Sequence, residues 1–397
     1  MPVKLVLGLQ HGDEGKGRIV DDLTETWADI IVRFQGGGNA GHTVYDKTGK
    51  KHVTHILPVG LLHKNKLNII SKGCVLNIKD LVNEIKEFDV SSQNLKISGL
   101  CPIIEPLHLL KDKLKYQKSI GTTAKGIGPA YADFYARDSI LLRDLINNPE
   151  NTFKTIKNKY EDFCNYFKSN AKNIDDINIL FESEQQMLEF EDNLNSHVDF
   201  LKDFILLDEY FLSKNLSKNI LLEGAQGSSL SIFSENYPNV TSSAPSVGGA
   251  LNSTNLNHKQ IDEVIGVIKS YKTKVGTGEF KTLCDEDNHK ILATLGKEFG
   301  ATTGRPRKCG WLDLNEVNDA ILQNGVDHLF IVKTDVFMHV DTPKVYFNGE
   351  YNIIPKIKNI SEDDIGFKSL ISFIKDKTNI NKVSYTTGPL RGQIVIN

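Results

Sequence analysis

The chain has 397 residues, with 47 Lys+Arg against 50 Asp+Glu for a formal net charge of −3, and 40% hydrophobic residues. That size suits one large α/β core or two ordinary domains, and the balanced charge gives no electrostatic case for wholesale binding to nucleic acid or to an anionic membrane. No apolar stretch approaches the roughly 20 residues of a membrane-spanning helix, and five scattered cysteines without a Cys-x-x-Cys pair indicate neither a disulfide framework nor a zinc cage, so a cytoplasmic protein is expected.

The first predicted element is a buried strand, Lys4–Leu9. It runs into Gln10-His11-Gly12-Asp13-Glu14-Gly15-Lys16-Gly17-Arg18, with a helix predicted from Ile19. A strand, a Gly-rich turn with one Lys and a helix N-terminus make a phosphate cradle. Backbone N–H groups and the helix dipole face the anion, and the Lys adds a point charge. The usual pattern G-x-x-x-x-G-K-[ST] is not met, because Gln10 stands at its first Gly and Gly17 where Ser/Thr would hold Mg²⁺. Asp13 is then the nearest hard oxygen donor for the metal. Set among backbone donors, it is also placed to act as a general base. Without its strand and helix, the same segment would read as a Gly-rich turn with surface charges.

A second strand, Ile30–Phe34, exits into Gln35-Gly36-Gly37-Gly38-Asn39-Ala40-Gly41-His42-Thr43, whose glycines let backbone approach a ligand closely. His42 can donate to a phosphoryl oxygen as charge develops, and Asn39 can contact polar ligand atoms. A lone His is more often structural; its place at a Gly-rich strand exit favours catalysis here. A third strand at Asn68–Ile70 precedes a helix marked by Ile78, Leu81, Val82, Ile85 and Phe88. The loop from Ile120 to Pro129, rich in Thr and Gly, suits hydrogen bonding to a phosphate. From about 147 to 218 the chain lacks Gly and is rich in Lys, Asn, Asp and Glu. Phe163, Tyr166 and Phe167, then Leu188, Phe190 and Leu194, mark a helical excursion packed on the sheet, its charges forming solvated faces.

Strand Asn219–Leu222 exits into Glu223-Gly224-Ala225-Gln226-Gly227, which puts an amide at a strand end, and Val240-Thr241-Ser242-Ser243 follows. Ile261, Val264, Ile265 and Ile268 recur at helical spacing and predict a helix. Gly300-Ala301-Thr302-Thr303-Gly304-Arg305-Pro306-Arg307 joins hydroxyls, hinge glycines and two fork-shaped cations, a loop for an anionic substrate. Strand His328–Val332 ends in Lys333-Thr334-Asp335. An Asp there can accept from both N1–H and N2–H₂ of guanine while the Lys stem packs over the base, although K-x-D also occurs as a turn with a capping Asp. Strands alternating with helices predict an α/β protein, P-loop-NTPase-like, with a mainly parallel central sheet flanked by helices. We expect one domain over residues 1–397, with a helical insertion and small peripheral hairpins. An ATP-using P-loop ligase would show Lys-Ser/Thr in the first loop and no K-x-D; a regulatory GTP switch would need a D-x-x-G element.

In their order, Gly12-Asp13-Glu14-Gly15-Lys16-Gly17, Asn39-Ala40-Gly41-His42-Thr43, Gly300–Arg307 followed by Gly310-Trp311-Leu312-Asp313, and Thr386-Thr387-Gly388-Pro389 resemble the adenylosuccinate synthetase family. Its members are GTP-dependent ligases that join IMP to L-aspartate in AMP synthesis. The resemblance runs from Gln10 to Gly388. It implies that Asp13 removes the N1 proton of IMP and, with the Gly41 carbonyl, holds one Mg²⁺ per subunit. His42 would assist γ-phosphoryl transfer from GTP, the co-substrate, to O6, and Lys16 and Gln226 would complete the catalytic set. GTP would be held by Gly12, Glu14, Gly15, Lys16, Gly17, Gly41, His42, Thr43, Arg307, Lys333, Thr334, Asp335, Thr386, Thr387 and Gly388. IMP would contact Asn39, Ala40, Thr123, Gln226, Thr241 and Arg305, with Arg137 reaching in across a homodimer interface. Aspartate would lie on Ala301, Thr302, Thr303, Gly304 and Arg305. His11 stands where the family commonly has Trp, and Arg18 replaces a usual Lys.

Overall fold

Strand β1 (Val3–Gly8) is buried on both faces, only Lys4 being partly exposed, as a parallel strand covered by helices must be. The computed structural model to which it belongs describes residues 3–117, 121–169, 174–275, 280–299, 304 and 306–396. After β1 come helix α1 (Lys16–Thr26), β2 (Ile30–Arg33), the antiparallel hairpin β3 (His42–Tyr45) with β4 (Lys51–Thr54), and β5 (Leu67–Ile70). Helix α2 (Ile78–Glu87) is capped by Asn77, whose side chain accepts from Asp80 N at 3.1 Å. It buries Ile78, Leu81, Val82 and Ile85 as the spacing predicts. Next are β6 (Leu95–Ser98), helix α3 (Pro106–Lys111), β7 (Ile205–Leu206), β8 (Ile220–Glu223), β9 (Glu263–Lys269), β10 (Tyr271–Lys274) and β11 (Lys308–Asp313). The chain closes through β12 (His328–Val332), β13 (Lys344–Phe347), β14 (Glu350–Ile353), β15 (Val383–Thr386) and β16 (Ile394–Val395).

Ten strands form the central sheet in the order β16-β15-β12-β9-β1-β8-β2-β5-β6-β7. Every pairing in it is parallel except β15–β16 at one edge. A smaller sheet, β10-β11-β13-β14, supplies the peripheral hairpin β13–β14. The mainly parallel α/β expectation therefore holds.

Two expectations about elements fail. The predicted helix at Ile261, Val264, Ile265 and Ile268 is instead β9, a central strand between β1 and β12. Buried on both faces, it satisfies a helical spacing and a strand equally, and its Val/Ile content decides for the strand. Gly266 lets it lie close to its neighbour, since a Cβ there would come within 2.5 Å of Leu9 Cδ1. The first helix also begins at Lys16 rather than Ile19, directly after Gly15 in the left-handed region. The helical excursion forms as Pro149–Lys168 and Ile174–Leu201. It packs on α2 and α3, and its chain then adds β7 to the sheet edge. Phe163 stacks on Phe167, while Tyr166 and Leu188 point to solvent.

Candidate functional site

The strand order sets β12, β9, β1, β8 and β2 side by side, so the loops leaving their carboxyl ends converge, where open α/β sheets bind ligands. In the first loop Gly12, Asp13 and Gly15 all have positive φ, at 81°, 58° and 83°. For a non-glycine residue such as Asp13 this is a costly conformation, of the kind retained at functional sites. The loop is shaped around Glu14, which is fully buried. Its Oε1 accepts from Gln10 N at 3.0 Å and Gly12 N at 2.9 Å, and its Oε2 from Lys16 Nζ at 2.5 Å. Gly8 and Gly227 make the room: a Cβ on either would lie 2.3 or 2.4 Å from a Glu14 carboxylate oxygen. The Glu14 side chain, expected on GTP, is therefore turned inward as the brace of the loop. Only its main chain can face a phosphate, and Lys16 rests on the brace.

Asp13 points outward, its side chain 38% exposed, and its Oδ2 takes a 2.8 Å ion pair from Arg307 Nη2. Arg307, expected toward GTP, is shared between two carboxylates in reach, its Nη1 lying 2.8 Å from Glu298 Oε2. Burial opposes the Arg307 charge, but Asp13 and Glu298 together hold its pKa up.

The second loop lies against the first, since a Cβ on Gly17 would meet His42 Cβ at 3.0 Å. His42 Nδ1 lies 2.5 Å from Glu223 Oε1, and Arg33 Nη1 is 3.4 Å from both. Glu223 Oε2 accepts from Val59 N at 2.9 Å. Burial, then the charge of Arg33, pushes the His42 pKa down against the pull of Glu223. Burial would raise the Glu223 carboxyl, but the hydrogen bond and charge of His42, with Arg33 and the Val59 N–H, hold it below the usual glutamate range. We hold to an ionised Glu223 accepting from Nδ1–H of a neutral His42, because the fully buried Arg33 supplies its counter-charge. Nε2 is then the free edge of the ring, and an anion brought to that edge favours its protonation.

Gln226, at φ 54°, lies beside the first and second loops, with its Oε1 within 3.2 Å of where a Gly36 Cβ would be. That oxygen accepts from Ser243 Oγ at 2.9 Å, and Ser243 Oγ is 3.1 Å from Thr241 Oγ1. Asn39 Oδ1 is buried without a hydrogen-bond partner among the described residues. Ala40 is buried, its carbonyl accepting from His55 Nδ1 at 2.8 Å, while Gly41 and Thr43 are partly exposed. Lys125 Nζ donates to Gly38 O at 2.8 Å, and Gly128 lies close to Ser242 Oγ. The Thr/Gly loop carrying the exposed Thr123 is thereby set near both Asn39 and Thr241.

Arg137 is exposed at the far end of helix Ile127–Ala136, ten residues and so about 15 Å from its start. It does not join the cluster within one chain. Lys333, at φ 62°, donates from Nζ to Gly296 O at 2.5 Å; burial is the main influence lowering its pKa. Thr334 Oγ1 donates to Thr386 O, and Thr387 N donates to Gln393 O at 2.9 Å, so the two expected guanine elements abut with Asp335 between solvent and core. Gly388 packs against Gln393. Gly304 is exposed at φ 63°. Ala301, Thr302, Thr303 and Arg305 lie outside the described residues.

Sequence reasoning missed Arg33, Glu223, Lys269 and Glu298, all buried. Three of them share a signal. Arg33, Glu223 and Lys269 are each the last residue of a central strand, a charge directly after an apolar run.

A family model described as adenylosuccinate synthetase matches residues 5–385. The adenylosuccinate synthetase of Caldicellulosiruptor bescii is 35% identical over 99% of each chain, and that of Aquifex aeolicus is 36% identical over 98% of this chain and 96% of its own. A fully ligated adenylosuccinate synthetase from Plasmodium falciparum superposes with a TM-score of 0.85 at 30% identity, covering 100% of both chains. A cyanophage succinoaminodeoxyadenylate synthetase, 17% identical with a TM-score of 0.67, shares the fold.

Proposed function

The chain belongs to the adenylosuccinate synthetase family and ligates IMP and L-aspartate to adenylosuccinate at the expense of GTP, and from that premise we propose how its own residues do so. The observation that carries the reading is the contact of Gly17 with His42, which sets an imidazole against the start of the phosphate-loop helix while Asp13 projects from the same loop. Asp13 takes the N1 proton of IMP, because O6 of a neutral oxopurine is a poor nucleophile until that proton leaves. O6 then bonds to the γ-phosphorus of GTP as the bond to the GDP oxygen breaks. The Nε2 edge of His42, positioned through Glu223, donates to the phosphoryl oxygens where charge spreads. The aspartate amine next displaces phosphate from C6 of 6-phosphoryl-IMP and loses a proton. Lys16 and the backbone N–H groups of Glu14, Gly15 and Gly17 cradle the GTP phosphates, Gly12 turning the loop with its own N–H on the Glu14 brace, and Lys333 and Asp335, beside Thr387 and Gly388, read guanine. Thr123 and Thr241 hold the 5′-phosphate of IMP, with Gln226 and Asn39 on its purine. Ala301 to Arg305 receive aspartate.

Mg²⁺ fits the donors present. Asp13 and the Gly41 carbonyl are hard oxygens, and Mg²⁺ is usually bound by one or two carboxylates plus substrate phosphates. Among the described residues no cluster of three or more His, Cys, Asp or Glu offers an alternative cage. The ion would neutralise charge on the GTP phosphoryl oxygens. We further propose a homodimer in which Arg137 serves the neighbouring subunit's site; its exposure beside Tyr135, 73% exposed, and Phe134 supports this. Five buried, unpaired cysteines suit a reducing compartment, in keeping with the cytoplasm.

The test mixes IMP, aspartate, GTP and Mg²⁺ and follows the ultraviolet change on adenylosuccinate formation, then replaces GTP by ATP. Product with GTP and little with ATP is expected. Equal rates would overturn the guanine reading, and no product with either would reject the ligase.

A further inference from the structure

At the carboxyl end of β9, Lys269 is fully buried, and its Nζ lies 3.3 Å from Glu298 Oε2 and 3.4 Å from Oε1 while also donating to Thr273 Oγ1. Tyr271 OH donates to Glu298 Oε1 at 2.5 Å. Glu298, 1% exposed, is thus held from β9 and β10, by Lys269 on both oxygens and Tyr271 on Oε1, and its Oε2 also faces Arg307 Nη1 at 2.8 Å. The main chain repeats the clasp, with Arg307 N donating to Glu298 O at 3.0 Å and Phe299 bridging to Pro306. The other arm of the Arg307 guanidinium holds Asp13 at 2.8 Å. Four charges therefore run in unbroken contact from the sheet to the outward carboxylate: Lys269, Glu298, Arg307, Asp13. Glu298 is a glutamate that stays ionised. Burial opposes its charge, but Lys269, Lys333 and Arg307 bring its pKa down to about 2.

We propose that Glu298 is a positioning residue for the ligase reaction, anchoring Arg307 to the rigid central sheet so that the guanidinium can fix the direction of the Asp13 carboxylate. Nothing in the chemistry of IMP, aspartate or GTP requires a carboxylate at this buried place, and it is too enclosed to touch them. What it does is remove the freedom of Arg307. A guanidinium held only by Asp13 would swing with it; one forked between Asp13 and a sheet-anchored carboxylate cannot. Small misplacements of reacting groups cost on the order of 100-fold in rate, so the anchor matters to turnover. The inference rests on the reading of Asp13 as the base given above and on its ion pair with Arg307.

The test is a double-mutant cycle in the full-length enzyme, with Glu298→Gln, Arg307→Leu and the pair, read as kcat for adenylosuccinate formation. Glu298→Gln keeps the shape but turns an amide toward Arg307 and Lys269. It is expected to lower kcat roughly 10- to 100-fold. The KM for GTP should move less than about threefold, since the direct hydrogen bond of Lys333 goes to the Gly296 carbonyl and Glu298 acts on it only through its charge. In the Arg307→Leu background the same substitution should lower kcat by less than about twofold, because its route of action is gone. Independent, multiplying losses would overturn the positioning role and leave Glu298 as a structural residue. If Arg307→Leu alone keeps the wild-type kcat, Arg307 does not fix Asp13 and the anchor has nothing to act on, which overturns the proposal. Should Glu298→Gln not fold, Tyr271→Phe removes one hydrogen bond to the same carboxylate and leaves the charges. A fall of about threefold in kcat, absent with Arg307→Leu, would support the anchor, and an unchanged kcat would refute it.

Discussion

Replacing Glu223 by Gln tests the reaction site through a residue that touches no substrate. The two carboxylate oxygens have distinct work: Oε1 accepts from His42 Nδ1 at 2.5 Å, and Oε2 from Val59 N at 2.9 Å. A Gln side chain must put its NH₂ on one side. Toward Val59 it sets donor against donor and strands a buried N–H, at a cost of about 1–3 kcal/mol. Toward His42 it forces the other tautomer, so that Nδ1 accepts and Nε2 is no longer the edge prepared by an ionised partner. In either orientation Arg33, fully buried, loses its counter-charge. Breaking a buried pair costs about 3–5 kcal/mol. Arg33 keeps its bond from Nε to Gln35 O at 3.1 Å, which argues for the lower end. We expect a stability loss of about 3 kcal/mol in urea unfolding, and a fall in kcat of roughly 10²- to 10⁴-fold, the span of a misplaced acid–base group. The assay is adenylosuccinate formation at saturating IMP, aspartate and GTP, below the unfolding transition. A kcat within threefold of wild type, with the stability loss present, would show that His42 does not act through Glu223.

Mixing Arg137→Leu with Asp13→Asn protein, each inactive alone, should restore about a quarter of the wild-type rate. Roughly half of randomly reassorted dimers are hybrids, and each hybrid has one intact site; no recovery would place Arg137 in its own chain's site or outside the reaction. Gly227→Ala would press a Cβ to 2.2 Å from the Gln10 carbonyl and 2.4 Å from Glu14. Because one neighbour is backbone, a loss of about 1–3 kcal/mol and weaker GTP binding are expected, and unchanged nucleotide titration would mean that Glu14 does not shape the cradle. His328, bonded to Glu263 and Ser384, has its pKa lowered to about 4, chiefly by burial and then by Lys382. The unfolded chain binds the proton first as pH falls, so stability drops between about pH 6.5 and 4 with a slope approaching 1.4 kcal/mol per pH unit. His328→Asn should flatten that slope in acid unfolding curves, and an identical slope would exclude His328 as its source.

The strands were legible because parallel strands buried on both faces read as short apolar runs; His328–Val332 matches its predicted bounds residue for residue. The loops at the carboxyl ends of the strands were legible as loops because glycine and charge directly after an apolar run end a strand. Where the reading failed, one-dimensional information was at fault. Ile261, Val264, Ile265 and Ile268 fit the helical period by coincidence, and only the Val/Ile content of β9 distinguishes it. Helix α1 begins among glycines because Gly17 must pass His42, a contact between separate loops that no local propensity encodes.

The deeper omission was the charge that ends β2, β8 and β9, and its cause is strand order. Arg33 and Glu223 are 190 residues apart, yet they are register partners in β2 and β8. Side chains at matched positions of neighbouring parallel strands project to the same face, so the two charges meet only if β8 is inserted between β1 and β2. A chain-order reading places β1 beside β2 and leaves Arg33 an unexplained cation in an apolar run. The same insertion brings Gln226, which leaves β8 three residues after Glu223, between the phosphate loop on one side and the Gly36 turn on the other. One crossover thus supplies both the partner of His42 and the amide proposed to meet the purine. Any rearrangement that moved β8 from between β1 and β2 would remove both at once while leaving every motif in the sequence intact.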